Sequence, residues 1–158
     1  MHIIGNMLYL WIFGDQIEDL LGKVRFIIFY LLCGLLAGVA QVAMDPDSII
    51  PNLGASGAIA GVLGAYLVKY PTNGVRVIVL NAIQVVPAFL VLGGWIALQV
   101  FEQWNSLAVK STGGVAYMAH IGGFVAGVVL VFLFSGLRRT SANDDDDPRY
   151  DGYGHHRP

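Results

Sequence analysis

Two residues of this chain have the means to do covalent chemistry together. Ser56 stands in the run Gly54-Ala55-Ser56-Gly57 at the mouth of an apolar, glycine-notched helix, and His120 stands near the start of another apolar stretch. A serine hydroxyl is a weak nucleophile until a base removes its proton, and histidine is the usual base because its ordinary pKa lies near neutrality. No Asp or Glu falls within the core of an apolar segment, so the pair reads as a Ser-His dyad without a carboxylate. The tetrahedral intermediate of such a dyad needs hydrogen-bond donors for its oxyanion, worth about 3–4 kcal/mol each. His2 and Asn6, one helical turn apart, are candidates, as is the Ser56 backbone N–H at the positive end of its own helix. Taken singly, each residue has a plainer role, since serines pack between membrane helices and lone histidines tie them together. Only their conjunction points to chemistry.

The elements that carry these residues belong in a bilayer. Of 158 residues, 56% are hydrophobic and 13% charged, about half the charged share of a soluble domain. The net charge of −2 is dominated by Asp144–Asp147 and gives no footing for nucleic acid. Cys33, the single cysteine, has no internal disulfide partner and reads as a small buried hydrophobe. No basic run and cleavage site mark a signal peptide.

Five apolar segments can be drawn, His2–Phe13, Phe26–Met44, Ala55–Tyr70, Val77–Phe101 and Val115–Leu137. A helix needs about 20 residues to cross a bilayer, so the second, fourth and fifth qualify outright and the third with help from Ile49-Ile50. Lys and Arg collect on the cytoplasmic side. Lys23 and Arg25, Lys69 and Arg76, and Arg138 and Arg139 therefore mark three inner connections. The alternate connections, Asp45–Asn52 and Glu102–Gly114, face outside. That order puts the N-terminus outside and the C-terminus in the cytoplasm, and leads to the expectation of an upstream span before His2. It also brings His2, Asn6, Ser56 and His120 to one face of the membrane, with His120 about five residues in from Val115, or roughly 8 Å.

Glycines four apart, Gly57 and Gly61, Gly123 and Gly127, and Gly34 and Gly38, give three segments a face that lets a neighbouring backbone approach closely. Gln41, Asn81, Gln84 and Gln99 read as interfacial or interhelical hydrogen-bonders. Trp11, Trp95 and Trp104 read as interface markers or packing residues. Asp15, Glu18 and Asp19 read with Lys23 and Arg25 as a solvated cytoplasmic turn. Residues 1–139 form the membrane domain, and 140–158 an acidic cytoplasmic tail expected to be disordered. His155 and His156 fall short of a metal-ligand set.

His2 with Asn6, then Phe13-Gly14-Asp15, Glu18-Asp19 and Gly22, then Gly54-Ala55-Ser56-Gly57, and finally Ala119-His120-Ile121-Gly122-Gly123 resemble, in order and separation, the rhomboid intramembrane serine proteases. The resemblance implies Ser56 as the nucleophile of a GxSG motif, His120 as general base, and His2 and Asn6 as an HxxxN oxyanion pair. It further implies cleavage of transmembrane protein substrates in a water-filled cavity open to the outside, with Pro87–Phe101 as a gate helix and Asn105–Gly114 in or near a cap. The family's first core helix and the loop after it have no counterpart here, so the five segments resemble helices two to six. Some members place an aromatic residue one turn after the serine, packed on the histidine; that position is Ala60.

The expectation is thus an all-α polytopic membrane protein with five transmembrane helices, acting as an intramembrane serine endopeptidase. It would use neither metal nor organic cofactor and sit in a prokaryotic plasma membrane. A catalytically inactive scaffold of the same fold that binds membrane clients is the alternative. A channel or transporter is weaker, because no internal repeat or paired broken helices appear. No residue pattern specifies an oligomeric state.

Overall fold

The structure, a computed structural model, describes residues 2–44, 46, 55–79, 82–109 and 117–136, without the side chain of His2. Five helices, α1 (His2–Leu21), α2 (Lys23–Met44), α3 (Ser56–Lys69), α4 (Ala88–Val109) and α5 (Tyr117–Gly136), are joined in one place by a hairpin of β1 (Gly74–Val79) and β2 (Ala82–Pro87). Tail residues 140–158 and the GASG residue Gly54 lie outside the described residues, as does Asn81.

The short helix α3 is the axis of the fold. All ten residues from Gly57 to Tyr66 are buried, and α3 packs against α1, α2, α4 and α5. Each surrounding helix turns one stripe toward it. Phe13, Ile17 and Leu21 of α1 are buried at four-residue spacing, as are Phe29, Cys33 and Ala37 of α2, the repeat that keeps side chains on one helical face. Their other faces carry exposed Ile4, Trp11, Leu31, Leu35, Phe101 and Leu133. A soluble chain would hide such residues, whereas lipid accepts them. By length and hydropathy, α2 and α5 each suffice to cross a membrane, while α3 is a shorter apolar helix.

Two segments depart from expectation. Residues Asp15–Leu21, expected as a turn, continue α1, because Ile17 and Leu21 extend its buried stripe while Asp15 and Asp19 stay on the exposed side. The helix ends at Gly22, whose φ of +80° suits glycine and lets its N–H bond Glu18 O. The expected single span from Val77 to Phe101 is instead an antiparallel hairpin followed by a helix. Hydropathy cannot separate the two, but Val75, Val77, Ile78, Ile83, Val85 and Val86 are β-branched and favour strands. Pro87 then closes β2 and α4 begins. The first N–H groups of α4 have no partner within it; Ala88 N donates to Asn73 O and Phe89 N to Pro71 O. Of the expected cap, Asn105–Val109 continue α4, and residues 110–114 lie outside the described set.

The close approach of α3 and α5 depends on glycine. A Cβ at Gly123 would run into the carbonyl oxygen of Gly57, and one at Gly127 into that of Gly61. The partner face on α2 is different from the expected Gly34–Gly38. It is formed by Cys33 and Ala37, whose side chains fill the spaces over Gly61 and Gly57, whereas nothing lies within 4 Å of a Cβ at Gly38.

Candidate active site

Ser56 is the first residue of α3, and Ala55 before it supplies no side-chain cap. The Ser56 N–H is therefore one of the orphan donors at the positive end of the helix. His120 lies one turn into α5. The glycine contacts hold α3 and α5 together, so the two side chains meet, with His120 Nε2 3.0 Å from Ser56 Oγ. Both are half-buried.

Three residues given no particular role in the sequence reading support the histidine. Gln99, buried on α4, places Oε1 2.8 Å from His120 Nδ1. Trp95, four residues earlier on α4, stands with its ring 5.8 Å from the imidazole and also packs on Phe124. An aromatic neighbour thus reaches His120 from α4, while Ala60 on α3 is buried and small. Gln41, near the end of α2, accepts the N–H of Ala119 at 3.1 Å. That donor belongs to the first turn of α5, so Gln41 ties down the backbone next to His120. The signal for Gln41 and Gln99 was a carboxamide inside an apolar span. Neither partner can be assigned without the packing.

Asn6 is half-buried on α1. Phe13 of α1 meets Tyr66 of α3 edge-on, with centroids 5.0 Å apart, and Gln16 Oε1 accepts from Asn73 Nδ2 beyond the end of α3. These two helices run in the same direction. Counting back seven residues from the ring contact puts Asn6 level with Ile59, roughly 4.5 Å below Ser56 along the axis. His2 begins α1 near the level of Ala55, with its side chain outside the described set. Among the described residues no group of three or more His, Cys, Asp or Glu is arranged to hold a metal.

This arrangement can move a proton from an alcohol to an imidazole at the mouth of a helix whose N–H groups favour negative charge. The family described as the rhomboid domain matches residues 1–137. The chain is 32% identical over 133 residues to Rhomboid protein 1, mitochondrial, of Saccharomyces cerevisiae, covering 81% of this chain and 36% of that protein. It is 41% identical over 66 residues to Rhomboid protease GluP of Bacillus subtilis, covering 42% of this chain and 12% of the relative. Rhomboid-like protein 11, chloroplastic, of Arabidopsis thaliana is 29% identical over 153 residues, 91% of this chain and 51% of that protein. The chain thus spans about half or less of each. These names divide among mitochondrial, chloroplastic and bacterial proteins, and give no support to the expected prokaryotic plasma membrane. No solved structure matches the chain.

Proposed function

The chain belongs to the rhomboid family, which is polytopic and embedded in membranes, and from that membership we propose that it is an intramembrane serine endopeptidase acting on transmembrane protein substrates. The observation that carries the proposal is the 3.0 Å approach of His120 Nε2 to Ser56 Oγ, within the reach a general base requires.

In the proposed reaction, His120 Nε2 takes the Ser56 hydroxyl proton as Oγ attacks the scissile carbonyl carbon, and the carbonyl oxygen becomes an oxyanion. The Ser56 N–H donates to that oxygen, with Asn6 and His2 approaching from α1. The tetrahedral intermediate collapses, the imidazolium gives its proton to the departing amine, and an acyl-enzyme ester remains on Ser56. Water, deprotonated by His120, then attacks the ester and releases the new carboxyl end. Each oxyanion donor contributes about 3–4 kcal/mol.

Helix length supports water access. With 14 residues, α3 rises about 21 Å, short of a hydrocarbon core about 30 Å thick. Lys69, at its inner end, donates to Ser135 and lies 4.4 Å from the Phe132 ring centroid. With Lys69 at the inner boundary, Ser56 stands several Å below the outer one, in a recess among α1, α4 and α5. Residues 1–139 form the membrane domain and 140–158 a tail on the inner side, in keeping with Lys23, Arg25, Lys69 and Arg76 at inner connections.

The test is fluorophosphonate labelling of the detergent-solubilised chain. Wild type is expected to label at Ser56, and Ser56→Ala and His120→Ala to lose the label. A folded wild-type chain that takes no label would overturn the hydrolase assignment in favour of a client-binding scaffold.

A further inference from the structure

We propose that Gln99 is a positioning residue for His120. Its carboxamide oxygen accepts the Nδ1–H and so fixes the imidazole in the tautomer whose bare Nε2 faces Ser56. The catalytic consequence rests on the hydrolase function proposed above; the tautomer itself does not.

A neutral imidazole carries one proton on two nitrogens, and its partners decide which. The Gln99 oxygen can only accept. At 2.8 Å from Nδ1 it requires a donor there, which leaves Nε2 as an acceptor 3.0 Å from the Ser56 hydroxyl. The Ser56 proton then points at the nitrogen that must take it. A carboxamide turned to present its NH2 group would do the reverse, making Nδ1 the acceptor and Nε2–H a donor to Ser56. That imidazole could not act as the base.

The surroundings explain why an amide serves. Gln99 is 8% exposed, on a helix that reads Ala88-Phe89-Leu90-Val91-Leu92 at its start and keeps one acid, Glu102. A buried carboxylate here would carry a large desolvation cost. The neutral carboxamide orients the ring without that cost. Trp95 stands on the same face of α4 one turn away, its ring tilted 41° to the imidazole, and limits how far the ring can turn away from Gln99. The order Ser56, His120, Gln99 thus repeats the geometry of a nucleophile, a base and an orienting group, with an uncharged third member.

The experiment is NMR of the full chain in detergent with 15N-labelled histidine at alkaline pH. The His120 signals are assigned by their loss in His120→Ala. Expected is an Nδ1–H, bare-Nε2 imidazole in wild type. In Gln99→Leu, a mixture of tautomers should appear and Ser56 labelling by fluorophosphonate should slow about tenfold, the scale of one neutral hydrogen bond. Gln99→Met, which keeps side-chain length but has no oxygen, gives the same reading should the leucine variant fail to fold. Wild-type His120 protonated at Nε2, or a tautomer unchanged in a folded Gln99 variant, overturns the assignment. A Gln99-dependent tautomer in a folded chain that never labels at Ser56 supports the assignment and instead removes the hydrolase function.

Discussion

Adding one methyl group at Gly127 should open the site from a distance. A Cβ there would lie 2.6 Å from the Gly61 Cα and closer still to the Gly61 carbonyl oxygen. Carbon atoms in contact rest about 3.5–4.0 Å apart. Gly127→Ala therefore requires α3 and α5 to separate by about 1 Å, and overpacking of this kind costs about 1–3 kcal/mol. Gly61 is five residues beyond Ser56 and Gly127 seven beyond His120, so the wedge sits below the site on the same helix pair. A 3.0 Å hydrogen bond widened by about 1 Å no longer transfers a proton efficiently. Thermal unfolding in detergent should move to lower temperature, and fluorophosphonate labelling of Ser56 should slow in the part of the sample that stays folded. Gly38→Ala is the control. It belongs to the same kind of four-residue glycine pair, yet nothing lies within 4 Å of its added Cβ, and both readouts should match wild type. Equal behaviour of the two variants would refute the α3–α5 packing from which the site geometry is derived.

Three further outcomes follow from named contacts. Gln41→Leu removes the acceptor of the Ala119 N–H, at a cost of about 1 kcal/mol, and hydrogen exchange at the first turn of α5 should accelerate while α1 is unaffected. Trp95→Phe should keep a ring against His120 and Phe124 and label Ser56 at near wild-type rate, whereas Trp95→Ala should lose about 0.5–1.5 kcal/mol of aromatic contact and label more slowly. Asn73→Ala removes the bond to Gln16 and should lower the melting temperature by the equivalent of about 0.5–1.5 kcal/mol, with labelling at the original temperature preserved.

The helical segments were legible where one property decided them. The boundaries of α3 and α5 fall within a few residues of the expected apolar runs, because burial in a bilayer leaves few polar interruptions to confuse the ends. The hairpin was not legible, since an apolar window has the same mean hydropathy whether its residues form a strand or a helix. The β-branched residues before Pro87 were the available signal, and a window of about twenty residues averages them away. Asp15–Leu21 failed for the opposite reason. Their charges suggested a turn, yet the four-residue spacing of Phe13, Ile17 and Leu21 continues the helix through them.

By itself the sequence determined that the chain is apolar enough for a membrane, which connections carry the basic residues, and that Ser56 and His120 open helices entering from the same side. These follow from composition and order, which act along the chain. Only the tertiary structure decided which surfaces touch. Gly38 and Gly127 are alike as glycines, but one lines an open groove with Gly34 and Leu35 and the other meets a backbone carbonyl. Gln41 and Gln99 are alike as amides in apolar helices, but one holds the backbone before His120 and the other the imidazole itself. The difference lies in helix rotation and neighbour, which are set by the fit of α3 among four other helices and are not encoded in any single segment.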